Sequence, residues 1–92
     1  MELAEVREKA APILKRRAVT RAGVFGSVAR GEPSARDVDL LVEMRRPYGL
    51  FSFLALKQEL EAALGKDVDL VAYDTLKPAL RERILKDEIS IL

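Results

Sequence analysis

Two aspartates separated by one residue are the strongest chemical signal in the sequence. Asp39 lies in the segment 38–43, which is predicted to be a strand, and Asp37 directly precedes it. Because side chains alternate across a strand, the two carboxylates leave the same face of the sheet, while the apolar residues between them leave the opposite face. This pattern predicts an acidic face over an aliphatic core. The alternative is a solvated surface on which Asp37 simply begins the strand.

A third carboxylate has the same setting in a later strand, predicted over 67–72. Asp69 alternates there with Val68 and Leu70. Asp67 shares its face but directly follows Gly65-Lys66, so Asp69 is the favoured residue. If the two strands are neighbours, Asp37, Asp39 and Asp69 converge, and their mutual repulsion raises their pKa values unless a cation is present.

A divalent metal ion resolves that repulsion. Magnesium prefers oxygen ligands and commonly combines one or two carboxylates with substrate phosphates. Two such ions about 4 Å apart clamp the attacking and leaving oxygens of a phosphoryl transfer. A carboxylate that binds no metal could accept the proton of an incoming hydroxyl.

A glycine-serine turn precedes the acidic strand. Gly26-Ser27 follows the apolar strand predicted at 22–25 and comes before Val28-Ala29-Arg30, which could begin a helix. Backbone N–H groups at such a turn bind phosphate, glycine permits a close approach, and the Ser27 hydroxyl adds a donor. The alternative is an ordinary strand-to-helix turn. Arg30 either orients phosphate or the neighbouring loop, or is a solvated helix residue.

Taken together and in this order, the motifs resemble a known family. Gly26-Ser27-Val28-Ala29-Arg30-Gly31, followed by Asp37-Val38-Asp39-Leu40-Leu41-Val42, is similar to the signature of the DNA polymerase β-like nucleotidyltransferase superfamily. The branch it resembles most is that of the minimal nucleotidyltransferases, small prokaryotic proteins usually paired with a HEPN-domain protein. The resemblance covers essentially the whole chain, because Lys66-Asp67-Val68-Asp69-Leu70-Val71 is similar to the family's third-carboxylate strand.

The resemblance implies a role for each motif residue. Gly26 and Ser27 would hold the triphosphate of ATP, with Arg30 beside them. Asp37 and Asp39 would bind Mg²⁺, and Asp69 would complete a catalytic and metal-binding triad. Such domains transfer a nucleoside monophosphate to an acceptor hydroxyl, and some of this branch are antitoxins that adenylylate a tyrosine of a HEPN ribonuclease toxin.

Two departures from the family pattern bear on the acceptor. Nine residues separate Ser27 from Asp37, at the short end of the family's range, and Arg36 stands where a serine commonly precedes the first aspartate. Neither removes a ligand. Arg36 could alter access or pair with a phosphate, so the acceptor is less well defined than the nucleotide.

Composition limits the chemistry that this chain can perform. Cysteine and histidine are absent, which excludes disulfides, zinc–thiolate sites and imidazole catalysis. Sixteen basic against fifteen acidic residues argue against a protein that mainly coats nucleic acid. No apolar run approaches the ~20 residues of a membrane span, and Met1-Glu2-Leu3 does not begin a signal peptide, so we expect a cytoplasmic protein.

The elements that must position these residues follow from the apolar periodicity. The order is helix, strand, loop at 30–36, strand, helix, strand and helix, followed by 89–92 as a short strand or loosely packed end. Pro12 either kinks the first helix or opens a second one, Gly65 ends the middle helix, and Asp74 or Thr75 caps the last. The 92 residues predict one α+β nucleotidyltransferase domain, a small mixed β-sheet with helices packed mainly on one face.

The leading hypothesis is a nucleotidyltransferase that modifies a partner protein. A chain of this length has little material for an acceptor site, so a HEPN-domain partner is the expected source, and a homo-oligomer is also plausible. The alternative is a non-catalytic module that neutralises the toxin by masking it, and a weaker third is a nucleotidyltransferase acting on RNA 3′ ends. Arg45-Arg46 could be a solvated strand end or bind an acidic partner. Phe51–Phe53 is expected mostly in the core, with part as a docking surface.

Overall fold

The protein is described by a computed structural model that covers residues 1–92. It consists of four helices and four strands, with a short 3-10 turn at Tyr73–Thr75. In chain order they are α1 (Leu3–Arg16), β1 (Val19–Phe25), α2 (Gly26–Ala29), β2 (Asp37–Met44), α3 (Leu50–Leu64), β3 (Asp67–Ala72), α4 (Pro78–Asp87) and β4 (Ile89–Ser90).

The strands form one mixed sheet in the order β3-β2-β1-β4. β1 runs antiparallel to both β2 and β4, and β2 runs parallel to β3. The parallel pair requires a crossover, and α3 provides it. This confirms the predicted α+β class and mixed sheet, and it makes β2 and β3 the neighbours that convergence of the three aspartates requires.

One face of the sheet is covered by α1 and α3. The even-numbered residues of β2 join apolar residues of β1, β3 and the two helices in a single cluster of 19 buried residues. The fully buried members include Val6, Leu14, Val24, Val38, Leu40, Val42, Leu56 and Leu60. Burial of this aliphatic face stabilises the domain at roughly 25 cal/mol per Å² of apolar surface removed from water.

Helix α1 continues through Pro12 without opening a second helix. It ends before Ala18, whose φ of 60° turns the chain directly into β1. Strand β1 therefore begins at Val19, three residues earlier than the sequence predicted. The sequence carried no signal for this turn because a left-handed conformation is usually marked by glycine or asparagine.

Two helix ends test the capping predictions. Gly65 ends α3 in the left-handed conformation with φ of 67°, as predicted. The prediction for α4 was wrong, because its N-cap is Lys77 and no side chain caps it. Asp74 forms an ion pair with Arg46 instead, and Thr75 donates its hydroxyl hydrogen to the Ala72 carbonyl at 2.9 Å. None of the helices combines the length and apolar character that crossing a membrane requires.

Candidate active site

The aspartates of β2 and β3 form two opposed pairs across the parallel strands. Asp39 lies opposite Asp69, and Asp37 lies opposite Asp67. All four side chains leave the face that α1 and α3 do not cover, because the intervening Val38 and its neighbours are in the core. The structure therefore brings Asp37, Asp39 and Asp69 together as the sequence predicted. It also places Asp67 on the same face, at the exposed start of β3.

Asp39 is the most enclosed carboxylate of this group. It is partly buried, whereas Asp37, Asp67 and Asp69 are exposed. Burial, followed by the charges of Asp69 and Asp37, raises the pKa of Asp39 above its usual 3.8, and Arg30 opposes the rise. The residues of the acidic face therefore neutralise its negative charge only in part.

The donor chemistry of this face fits a hard divalent cation. The side chains are carboxylates, which Mg²⁺ prefers, and a bound cation would offset the burial and the repulsion that raise the pKa of Asp39. No three of the carboxylates are gathered closely enough to form a ligand cage by themselves. Mg²⁺ does not require such a cage, because it commonly takes one or two carboxylates and completes its shell with water and substrate phosphates.

Gly26 brings the backbone against the acidic face. Helix α2 begins at this residue rather than after Ser27, and the φ of Gly26 is 71°. A Cβ atom added here would lie 2.1 Å from Oδ2 of Asp39. Glycine is therefore required both by the left-handed conformation and by the contact with Asp39. The first N–H groups of α2 lack intrahelical partners.

Arg30 follows α2 and is held by two carboxylates. Its Nε donates to Glu32 at 2.8 Å, and its Nη1 donates to Asp87 at the end of α4 at 3.1 Å. The side chain is exposed but paired, so it is not simply a solvated helix residue. The prediction that it orients phosphate stays a prediction.

The C-terminal segment also lies on the acidic face, which the sequence did not indicate. A Cβ atom on Gly23 would meet Oε2 of Glu88 at 2.2 Å, so the Glu88 side chain passes directly over β1. Glu88 accepts a hydrogen bond from the buried Tyr73 hydroxyl and pairs with Arg21, which stacks 4.1 Å from the Tyr73 ring centroid. The sequence feature that could have indicated this cover is the unbroken apolar run Leu40-Leu41-Val42, which is typical of a strand covered on both faces.

Two further surface predictions have mixed outcomes. The segment Phe51–Phe53 was expected mostly in the core with part of it exposed, and the exposed part is Phe51, which lies in the first turn of α3 and is 89% exposed. Phe53 does pack against the core cluster. Leu50 and Leu54 are exposed beside Phe51, so docking of a partner there stays a prediction. Arg46 pairs with Asp74, which reduces the free charge at the end of β2.

Comparison with known proteins assigns the chain to a family. A model of the polymerase β nucleotidyltransferase family matches residues 8–92. A protein of Methanocaldococcus jannaschii, provisionally named a protein adenylyltransferase, is 41% identical over 93 residues, covering 100% of both chains. The protein adenylyltransferase MntA of Thermococcus cleftensis is 39% identical over 74 residues, covering 79% of this chain and 75% of its own.

Solved structures agree with this assignment. A structure provisionally described as a minimal nucleotidyltransferase has a TM-score of 0.81 at 41% identity, covering 95% of this chain and 90% of its own. A toxin–antitoxin with AMP-PNP has a TM-score of 0.80 at 22% identity, covering 94% and 72%. A tri-AMPylated HEPN toxin of Shewanella oneidensis with its MNT antitoxin has a TM-score of 0.74 at 21% identity, covering 95% and 69%. The last two show the fold alone.

The chain belongs to the polymerase β nucleotidyltransferase family. It is a nucleotidyltransferase enzyme, and its fold is that of the minimal nucleotidyltransferases and of the antitoxins in MntA–HepT structures.

Proposed function

We propose that this protein is an adenylyltransferase that moves AMP from ATP to a hydroxyl group of a partner protein. The observation that carries the proposal is the opposition of Asp39 and Asp69 beside the left-handed Gly26 turn, an arrangement that suits a metal-bound triphosphate. The protein adenylyltransferase names of relatives at 41% and 39% identity support the transferred group and the class of acceptor.

The reaction divides the site into two parts. Gly26, Ser27 and Arg30 bind the triphosphate, while Asp37 and Asp39 hold Mg²⁺, with Asp69 as the third carboxylate. Bound Mg²⁺ supplies charge neutralisation at the phosphates. The acceptor oxygen forms a bond to the α-phosphorus as the bond from that phosphorus to the pyrophosphate oxygen breaks, and pyrophosphate leaves. The acceptor proton passes to a carboxylate, and Asp69 suits this role because it is exposed and lies opposite Asp39.

The acceptor is a HEPN-domain toxin, and the protein acts as its antitoxin. The Shewanella oneidensis structure, in which an AMPylated HEPN toxin is in complex with an MNT antitoxin, supports this partner by similarity of fold. The exposed apolar residues Leu50, Phe51 and Leu54 favour binding of a protein and would serve docking. They would serve equally if the protein neutralised the toxin by masking alone, so the experiment must separate modification from binding.

The test measures transfer of label from [α-³²P]ATP in the presence of Mg²⁺ to a HEPN-domain protein from the same genome. We expect Asp37→Asn and Asp39→Asn each to reduce labelling at least about a hundredfold, the effect of losing ~3 kcal/mol of transition-state stabilisation. Asp67→Asn is the matched control, because it removes the same charge from the same face at the start of β3.

The outcomes separate the two functions. If the partner is never labelled but still binds and is inhibited, masking is the function. If Asp39→Asn transfers label as well as the parent protein, the catalytic assignment of the acidic face is wrong.

A further inference from the structure

The junction of α4 and β4 is anchored to the acidic face by two consecutive carboxylates. Glu88 lies over Gly23 and bonds Tyr73, and its side chain is only 11% exposed. Asp87 extends from the same point to Arg30. No residue of α4 is fully buried. The position of its C-terminal end is therefore fixed mainly by these polar contacts and by the pairing of β4 with β1.

Arg30 retains hydrogen-bonding capacity after both of its ion pairs are formed. A guanidinium group has five N–H donors in a planar fork. One donor is used by Glu32 through Nε and one by Asp87 through Nη1. The three that remain can form the paired hydrogen bonds by which arginine binds phosphate. The two carboxylates favour one orientation of the guanidinium group before any ligand binds.

We propose that Asp87 is a positioning residue for the nucleotide: by holding Nη1 of Arg30, it orients the remaining donors of Arg30 toward the triphosphate. The inference rests on the proposed function in that it takes ATP as the substrate. Arg30 lies one turn of α2 after Gly26, to whose carbonyl its backbone N–H donates at 3.1 Å, and the Gly26 backbone lies against Asp39, so Arg30 stands beside the site. Ordering a long side chain in advance lowers the entropic cost of ligand binding.

An argument from net charge alone predicts the opposite effect of removing Asp87, so the experiment can distinguish the two explanations. Asp87 is an anion, so its removal should strengthen ATP binding if only net charge matters. If Asp87 positions Arg30, its removal should weaken ATP binding. We therefore measure the Kd of ATP with Mg²⁺ by isothermal titration calorimetry for Asp87→Ala, Arg30→Ala and the double variant. Glu82→Ala is the matched control, since Glu82 is exposed on the same helix and forms no ion pair.

We expect Asp87→Ala to weaken ATP binding roughly three- to tenfold, the size of the cost of ordering one side chain. Glu82→Ala should leave the Kd unchanged. In the Arg30→Ala background, Asp87→Ala should have no further effect, whereas a merely structural role would lower affinity in both backgrounds. Asp87→Glu, which keeps the carboxylate, should recover part of the affinity. Thermal unfolding of each variant establishes that the binding data come from folded protein.

Unchanged or tighter binding by Asp87→Ala would overturn the inference, as would an equal loss in the Arg30→Ala background. The experiment needs no acceptor, so its outcome is separate from that of the proposed function. A protein that binds ATP through Arg30 but labels no partner would contradict only the proposed function. A protein that labels its partner but tolerates Asp87→Ala would contradict only the positioning role.

Discussion

The two faces of strand β2 are stabilised in different ways. On one face Val38, Leu40 and Val42 are fully buried against α1 and α3. On the other face Asp37 and Asp39 oppose further carboxylates, and the contacts nearby are ion pairs and hydrogen bonds of Arg30 and the α4–β4 junction. The first face determines whether the chain folds. The second contains concentrated charge that only a ligand neutralises, so function and stability are separated across a single strand.

The largest expected effect is on the aliphatic face. Leu40→Ala should lower the free energy of unfolding by about 2–5 kcal/mol, because Leu40 is fully buried and the cavity cannot be refilled. Urea denaturation measures this loss, which is a large share of the stability of a small domain. Leu50→Ala is the control, since Leu50 is 69% exposed, and it should change stability by no more than about 0.5 kcal/mol. Equal losses in the two variants would contradict the separation of the faces.

The acidic face should respond in the opposite sense. The pKa of Asp39 is raised above 3.8, so between that value and the raised pKa the folded state binds more protons than the unfolded state. Stability therefore falls as pH rises through this window, and at neutral pH ionised Asp39 opposes folding. At pH 7 Asp39→Asn should be at least as stable as the parent protein, and any gain in the free energy of unfolding should be smaller than the loss in Leu40→Ala. The stability of the variant should also depend less on pH.

Urea denaturation in EDTA at several pH values checks the Asp39→Asn prediction without interference from metal. Lower stability of the variant at neutral pH would show that the carboxylate contributes to folding rather than only to function. Adding Mg²⁺ and ATP should then stabilise the parent protein more than the variant, because ligands that bind the folded state add to its stability.

Strands with a clear local pattern could be predicted from sequence more readily than the contacts across the sheet. The alternation of apolar residues predicted the third strand at Asp67–Ala72. The spacing of Asp37 and Asp39 predicted that both side chains leave the same face of the sheet. Both predictions depend only on local periodicity. The pairing of Asp39 with Asp69 depended on which strands are neighbours, and the motif resemblance supported that assumption. The contacts of Asp87 and Glu88 join residues 57 and 15 positions away from them, and no local pattern predicts such pairs.

The smallest expected effect concerns a carboxylate that has the partners Asp39 lacks. Glu59 on α3 accepts hydrogen bonds from Arg17, at 2.7 Å, and from Arg16, at the end of α1. The Arg17 hydrogen bond, followed by that of Arg16, lowers the pKa of Glu59 below 4.5. Because the folded state holds this proton less tightly than the unfolded state, the pair stabilises the protein above pH 4.5. That stability is lost as pH falls through the lowered pKa.

Glu59→Gln should therefore reduce stability slightly at neutral pH and leave it unchanged in acid, the reverse of the Asp39→Asn profile. The loss should be small because the ion pairs lie at the surface, with Arg16 62% and Arg17 35% exposed, and 0.5 M NaCl should diminish it. Glu8→Gln is the control, since Glu8 is exposed on α1 and forms no ion pair. The charge of Glu59 is neutralised among the helices, whereas the charge of Asp39 at the site is not. If Glu59→Gln and Asp39→Asn shifted the pH profile in the same direction, this contrast would be wrong. Opposite slopes would show that the charge of Glu59 is neutralised by its arginines, whereas the charge of Asp39 is not.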